Sequence, residues 1–159
     1  MFRLKINKKH LILCLAIPLA VGGIAALITG SGMDTFETLN KPPLSPPGWL
    51  FPVAWTILYI LMGIASYLVL TSGKSQETIH NALILYAIQL FFNFLWPIFF
   101  FGLSAYLFAF AWLILLWVMI LATTVSFYLL SHTAGHLMLP YLLWVAFAGY
   151  LNMGIYLLN

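Results

Sequence analysis

Residues 105–130 read AYLFAFAWLILLWVMILATTVSFYLL, a continuous apolar run without a single charged side chain. A helix needs about 20 mostly apolar residues to cross a bilayer, so this stretch predicts one membrane span. Its surroundings are similar, since residues 78–159 contain no Asp, Glu, Lys or Arg. Over the whole chain 64% of residues are hydrophobic and 6% are charged, whereas soluble domains average about 25% charged residues. The composition therefore excludes an ordinary soluble enzyme, a disordered region and a nucleic-acid-binding protein.

The other apolar runs divide the chain into five predicted spans within a single membrane domain, residues 1–159. Because backbone groups in lipid must be bonded internally, such spans are helical. The predicted fold class is therefore an all-α integral membrane protein, a five-transmembrane-helix bundle. The spans are approximately 11–29, 47–70, 79–101, 105–130 and 136–158, and a polar lid loop at 30–45 joins the first two.

The first span has two further features. Its alternative interpretation is a cleaved signal peptide, but its apolar stretch is longer than the 7–15 residues or so that are typical of such peptides. Ala16, Ala20 and Gly23 form a small-residue stripe, which predicts close helix contact within a protomer or across a dimer. Cys14 is the only cysteine, which excludes an internal disulfide and a paired-cysteine metal or redox site.

Serine and proline residues mark where the predicted helices begin and bend. Ser45 is placed to cap the second span, because a serine oxygen can accept from the free N–H groups of a first helical turn. Pro97 has no N–H group, so we expect a kink or an end of regular hydrogen bonding there. Pro140 is expected to be tolerable only near the start of the last span.

The few charges predict the orientation. Arg3, Lys5, Lys8 and Lys9 all precede the first span, and the positive-inside rule keeps such residues cytoplasmic. With five spans, the lid loop and the C-terminus then face outward. The basic N-terminus and the absence of a transit peptide favour a bacterial cytoplasmic membrane.

The third span carries polar side chains at membrane depth. Gln89 and Asn93 are four residues apart and share one helix face, which Trp96 continues. A buried amide in hydrocarbon costs free energy unless it is hydrogen-bonded. Two interpretations remain open, namely hydrogen bonds between helices and contacts with a ligand.

The second and fifth spans each present one face that combines a large aromatic ring with small or polar neighbours. Aromatic walls with a few amide donors suit a flat, apolar ligand with polar groups at its edge. Ordinary core packing is the alternative, and Trp49, Trp112 and Trp117 suit an interfacial belt. The two faces consist of Pro52, Trp55, Tyr59 and Met62, and of Trp144, Ala148 and Asn152.

No pattern in the sequence indicates a catalytic or metal site. His132 and His136 are four residues apart, but they flank a predicted turn with no carboxylate or thiol nearby. The three acidic residues all lie in predicted loops, and no nucleophile and base are paired. We therefore assign no metal ligand and no catalytic residue from the spacing alone.

Ordered motifs across four of the spans resemble one known family. They are Lys41–Trp49 (KPPLSPPGW), Trp55, Leu58-Tyr59, Met62-Gly63, Gln89, Asn93, Trp96-Pro97, Phe100–Gly102, Ala122–Val125, Tyr128, Pro140–Leu142, Trp144, Ala146–Ala148 and Leu151-Asn152. From about Phe36 to Asn159 the chain resembles the tryptophan-rich sensory protein and translocator protein family, also called TspO/MBR or the peripheral benzodiazepine receptor family.

The resemblance implies a five-helix bundle, usually a homodimer, with a pocket that the first loop covers. It implies binding of porphyrins such as protoporphyrin IX, and in many members of sterols and of isoquinoline- or benzodiazepine-type drugs. No cofactor is required, and the porphyrin is a ligand. By motif match, Trp55 and Trp144 would face the tetrapyrrole, Asn93, Gln89, Trp96 and Ala148 would line the cavity beside Tyr59, and Phe36, Pro42 and Pro43 would belong to the lid.

The chain departs from the family pattern at three positions. Leu44 and Trp112 stand where a tryptophan and an aspartate are common, and Ser104 stands where a basic residue is common. No Lys or Arg follows Lys74, so the sterol-recognition pattern of a Tyr followed closely by a basic residue is absent.

Three functions follow as expectations. The first is a membrane protein that binds porphyrins and similar small hydrophobic ligands for sensing, sequestration or clearance. The second is light-dependent oxidative degradation of the porphyrin, with Trp55 and Trp144 as the candidate redox residues. The third is a small transporter of porphyrin or sterol-like ligands. It ranks last because transporters normally need an ionisable or coupling residue at mid-membrane.

Overall fold

The computed structural model describes residues 6–30 and 32–159, so Arg3 and Lys5 of the basic N-terminus and Ser31 of the lid loop lie outside the described residues. Within this described part of the chain, five helices are long and apolar enough to cross a membrane, which confirms the predicted all-α bundle of five spans. The helices are α1 (Lys8–Thr29), α2 (Gly32–Thr38), α3 (Leu50–Leu70), α4 (Gln76–Pro97), α5 (Tyr106–Leu130) and α6 (His132–Leu158), and a π-helical turn (Ile98–Gly102) continues α4.

The five long helices pack as a closed ring in the order α1, α3, α6, α5, α4, and α4 contacts α1 to complete it. The interior is filled by large side chains such as Met62, Ile120 and Tyr141, each with no exposed surface. The outer faces are apolar as well, since Leu27 is 85% exposed and Leu129 is 73% exposed. Such surfaces are unfavourable in water, so the outside of the ring faces lipid.

The lid loop, which was predicted to be irregular, contains the short helix α2. Its buried residue Phe36, which is 3% exposed, holds this helix against the end of the bundle. The loop therefore covers the bundle as a folded segment.

The end of α4 follows from Pro97, as the sequence predicts. Regular α-helical bonding stops at Pro97, because proline has no N–H group and its ring crowds the preceding turn. The Leu103 N–H then donates to Ile98 O at 2.9 Å, one residue further back than in an α-helix. The wider turn directs Phe101 to the same end of the bundle as α2.

The start of α3 differs from the prediction. The helix begins at Leu50, and Ser45 does not cap it. Instead, the Ser45 hydroxyl donates to Pro42 O at 2.7 Å. Two prolines follow Ser45, and a residue before proline is disfavoured in the α conformation. The chain therefore stays non-helical until the prolines have passed.

The start of α6 also differs, because the helix begins at His132 and not at His136. The Ser131 oxygen accepts from the Ala134 N–H at 3.3 Å and caps the helix. His132 and His136 therefore lie on one helical face and not beside a turn. Pro140 lies well inside α6, where bonding by neighbouring groups makes proline tolerable in membrane helices.

Candidate functional site: an aromatic cavity under the lid

A cavity of about 380 Å³ lies between α1, α3 and α4, at the end of the bundle that the lid loop covers. It is within the range of about 300–1,000 Å³ that is usual for small-molecule sites. Most of its lining is apolar or aromatic. The lining residues are Leu19, Gly22, Gly23, Ala25, Ala26 and Thr29 of α1, Gly30 directly after it, Met33 of α2, Phe51, Pro52, Trp55, Thr56 and Tyr59 of α3, Asn93, Trp96 and Pro97 of α4, and Phe101.

Aromatic rings form one continuous wall of the cavity. Trp55 stacks on Tyr59 with ring centroids 5.7 Å apart and lies 6.4 Å from Trp96. Phe101 meets the Trp96 ring edge-on at 6.0 Å. Rings at these spacings stabilise one another, so the wall is rigid and offers flat faces to a ligand.

A chain of hydrogen bonds lies behind this wall. The Tyr59 hydroxyl donates to Asn93 Oδ1 at 2.6 Å, and Asn93 Nδ2 donates to Tyr141 Oη at 2.8 Å. The Tyr141 hydroxyl then donates to Gln89 Oε1 at 2.8 Å, and Gln89 Nε2 lies 4.0 Å from Met62 Sδ. The chain links α3, α4 and α6, and it fixes the Asn93 amide at the cavity wall.

The Trp96 ring is fixed from its other side. Its indole Nε1 donates to Asn152 Oδ1 of α6 at 3.1 Å. Asn152 Nδ2 donates in turn to Tyr106 O at 2.8 Å. Asn152 thus joins α4, α5 and α6 at the level of the cavity.

The first half of the lid closes the cavity at the loop end. Phe36 meets Phe51 edge-on at 5.4 Å and Phe101 at 5.9 Å. Gly32 sits so close to Phe101 that an added Cβ would lie 2.6 Å from its carbonyl oxygen. The close approach requires glycine at this position.

The second half of the lid is anchored on α6, away from the cavity. The Asn40 N–H donates to Asn159 Oδ1 at 3.1 Å, and Asn159 Nδ2 donates to Asn40 O at 2.9 Å. The Tyr150 hydroxyl donates to Pro43 O at 2.7 Å. Pro42 is buried against Gly154, where no Cβ would fit. These contacts hold the lid to the C-terminal end of α6.

The TspO/MBR family model matches residues 14–158 of this chain. The chain belongs to the TspO/MBR family. It is 41% identical to the tryptophan-rich protein TspO of Chlorobaculum tepidum over 150 residues, which cover 94% of this chain and 95% of that protein. It is 41% identical to the tryptophan-rich sensory protein of Cereibacter sphaeroides over 126 residues, which cover 79% of this chain and 77% of that protein. It is 39% identical to the translocator protein of Bos taurus over 139 residues, which cover 86% of this chain and 82% of that protein.

Four of the residues expected to bind the ligand of this TspO/MBR protein line the cavity, namely Trp55, Tyr59, Asn93 and Trp96. Gln89 does not line it. Gln89 has no exposed surface and lies one hydrogen bond beyond Tyr141. Its place in the structure therefore matches the interpretation as a hydrogen bond between helices.

Trp144 and Ala148, also expected at the pocket, lie outside the cavity lining. Trp144 packs edge-on against Phe51 at 6.0 Å, and its indole N–H is buried with no hydrogen-bond partner among the described residues. The sequence interpretation placed the pocket between α3, α4 and α6, where Tyr141 of α6 lies with no exposed surface. The cavity lies on the α1 side of this tyrosine, between α1, α3 and α4.

The lid residues divide into two groups. Phe36 covers the cavity through Phe51 and Phe101, whereas Pro42 and Pro43 lie on α6 and make no part of the lining. The proline-rich segment therefore acts as the anchor of the lid, and α2 is the part that covers the cavity.

Sequence reasoning missed the contribution of α1. Gly22, Ala25 and Thr29 form much of one cavity wall. The predicted small-residue stripe of Ala16, Ala20 and Gly23 is exposed, and of these three only Gly23 lines the cavity. The adjacent pair Gly22-Gly23 was the available signal, because glycines in a spanning helix often mark a close approach to a neighbour.

Proposed function

We propose that this membrane protein binds porphyrins such as protoporphyrin IX, and similar flat hydrophobic ligands, in the cavity between α1, α3 and α4. Binding would serve tetrapyrrole sensing, sequestration or clearance. The observation that carries the proposal is the cavity of about 380 Å³ with its continuous aromatic wall. Relatives called tryptophan-rich sensory protein and translocator protein fit a role in handling a small molecule.

The cavity suits a flat ring system for two reasons. Trp55 and Trp96 present aromatic faces on which a macrocycle can stack. Asn93 offers the second proton of its Nδ2, because only one of the two is used by Tyr141. Gln89 acts on the ligand only through Tyr141, so it is a positioning residue.

Titration of the detergent-solubilised protein with protoporphyrin IX tests this function. The change in porphyrin absorbance reports binding and does not depend on how many tryptophans a variant retains. Truncating an aromatic anchor typically costs about 2 kcal/mol, so Trp55→Leu should raise Kd roughly thirtyfold. Trp49→Leu is the matched control, because Trp49 is 67% exposed and lies outside the cavity lining. Equal Kd values for the two variants would contradict the assignment.

Light-dependent oxidative degradation of the porphyrin is the second candidate. The observation that favours it is the contact of three oxidisable rings, Trp55, Tyr59 and Trp96, at the cavity wall. Trp144, the other redox candidate, lies outside that wall. Illumination of the complex in air should then give a new absorption band faster than porphyrin in detergent alone, and Trp55→Leu should slow its appearance. Bleaching at the rate of free porphyrin would leave binding as the function.

We also propose that the protein acts as a homodimer in a bacterial cytoplasmic membrane, with its N-terminus in the cytoplasm. The basic residues at the N-terminus, namely Arg3, Lys5, Lys8 and Lys9, support the orientation, and the family resemblance supports the dimer. Labelling of a cysteine placed at Lys74 should be blocked in intact cells and should occur after permeabilisation. Light scattering of the detergent-solubilised protein should give twice the mass of one chain.

A further inference from the structure

The cavity has an opening on its side, between α1 and α3. The lining residues that are exposed on these two helices are Leu19, Gly23 and Ala26 of α1 and Pro52 and Thr56 of α3. The lining residues of α2, α4 and the π-helical turn are buried or half-buried. Because α1 and α3 span the bilayer, the medium outside this opening is lipid. Thr56 is six residues after the start of α3, which places the opening within about 9 Å of that helix end.

At the loop end of the cavity, Gly30 is the one exposed lining residue among the described residues. Phe36 is 3% exposed and packs on Phe51 and Phe101, which form a layer of rings above the cavity. Gly32 fits tightly against Phe101. A ligand arriving from water would have to displace this layer together with α2.

The backbones of α1 and α3 touch below the opening, because a Cβ at Gly63 of α3 would lie 2.8 Å from Leu15 Cα. At the level of the opening, a Cβ at Gly22 would meet the Tyr59 ring of α3, whereas a Cβ at Gly23 would meet nothing within 4 Å. Pro18 lies between these two levels. Prolines and glycine pairs are the usual causes of helix bending, so α1 can bend between its fixed lower part and the opening.

The side opening and the lid also differ in their charged residues. The residues around the opening carry no charge, and the Thr56 hydroxyl already donates to Pro52 O at 2.7 Å. The lid carries Asp34, Glu37 and Lys41. A hydrophobic ligand dissolved in the bilayer could therefore pass the opening without stripping water from a charged group, which would cost free energy.

We infer that the ligand reaches the cavity laterally from the bilayer, through the opening between α1 and α3, and that the part of α1 after Pro18 is the gate. The inference rests on the proposed binding of a flat hydrophobic ligand in this cavity. On this route, Gly23 and Ala26 control ligand exchange, and α2 with its anchor covers the cavity.

Stopped-flow binding of protoporphyrin IX to the full-length protein in detergent tests the route. Association is followed by tryptophan quenching, and dissociation by dilution into porphyrin-free micelles. Ala26→Leu places a bulky side chain in the opening, and Ala20→Leu makes the same change at an exposed position of α1 outside the lining. We expect Ala26→Leu to slow both association and dissociation, with the association rate about tenfold lower, which corresponds to about 1.4 kcal/mol of added barrier. Ala20→Leu should match the wild type.

The outcomes separate the route from the function. Saturable binding with equal rates in Ala26→Leu and Ala20→Leu would overturn the lateral route and keep the proposed function. A weaker Kd with faster dissociation in Ala26→Leu would also overturn it, because the leucine would then fill the cavity and not its opening. Asn159→Ala loosens the anchor of the lid, and faster association in this variant would place the route beneath α2. An absence of saturable binding in the wild type would overturn the proposed function itself.

Discussion

Tyr141→Phe removes one oxygen atom from the centre of the bundle and breaks two hydrogen bonds. The Tyr141 hydroxyl accepts from Asn93 Nδ2 and donates to Gln89 Oε1, both at 2.8 Å. Tyr141 and Gln89 have no exposed surface and Asn93 is 2% exposed, so the two amides have little access to water as a substitute partner. Phenylalanine keeps the ring and its packing, and the change therefore reports on the two hydrogen bonds alone.

The loss of unfolding free energy expected for Tyr141→Phe depends on whether the protein is in water or in a membrane. In a water-soluble protein, two orphaned buried groups would cost about 2–6 kcal/mol, since each typically costs about 1–3 kcal/mol. In a membrane protein the unfolded chain also finds partners, and measured hydrogen bonds average about 0.6 kcal/mol with a maximum near 1.7 kcal/mol. The second scale applies here, so Tyr141→Phe should lower the free energy of unfolding by about 1–3 kcal/mol.

Tyr86→Phe provides a matched control within the same chain. Tyr86 is 6% exposed, and its hydroxyl is buried with no hydrogen-bond partner among the described residues. The neighbouring Ser66 hydroxyl donates to Gly63 O at 2.9 Å instead. Removal of an unpartnered buried hydroxyl should leave stability unchanged or raise it by up to about 1 kcal/mol.

The assay is reversible unfolding in mixed micelles with an increasing fraction of sodium dodecyl sulfate, followed by circular dichroism. The expected result is a lower midpoint for Tyr141→Phe and an equal or higher midpoint for Tyr86→Phe. Two variants that are destabilised equally would refute the reasoning, because the hydrogen-bond chain would then contribute no more than an unpartnered hydroxyl. Stability of the Tyr141→Phe variant equal to the wild type would refute it as well.

Two further predictions use the same structure. Gly22→Ala should destabilise the protein by about 1–3 kcal/mol, because the added Cβ would overlap the Tyr59 ring. Gly23→Ala should be neutral or slightly stabilising in the same unfolding assay, because the added Cβ would meet open space. Equal midpoints for the two variants would show that α1 does not pack on Tyr59 as described. Asn159→Ala should speed amide hydrogen exchange at Asn40, because it removes the side chain that both accepts from and donates to the backbone of that residue; unchanged exchange at Asn40 would mean that the lid is held by other contacts.

The sequence singled out several residues that line the cavity, because some side chains are costly at membrane depth. Asn93 stands out in an apolar helix, since a buried amide needs a partner. Trp55 and Trp96 stand out through their size and their position inside the helices. Tyr141 did not stand out, because a tyrosine is counted among the apolar residues of a span. Its hydroxyl nevertheless joins three helices through Asn93 and Gln89.

Trp144 shows why a side chain in one helix does not reveal its neighbours. Trp55 and Trp144 are both large aromatic residues well inside a spanning helix, and the sequence treats them alike. In the bundle, Trp55 faces the cavity and Trp144 packs on the other side of Phe51. The difference arises from the order of the helices in the ring, which places α1 and not α6 across the cavity from α3 and α4.

The sequence by itself determined the all-α fold class and the number of spans. Hydrocarbon cannot hydrogen-bond a backbone group, so long apolar runs have to be helices, and Pro97 has to end one of them. Only the tertiary structure decided which helices are neighbours and where the cavity lies. Lipid and protein interior are similarly apolar, so hydropathy does not distinguish a face that packs from one that meets lipid. Side-chain shape decides which faces pack together. Gly22 leaves room for the Tyr59 ring, and Tyr141 fills the centre of the bundle.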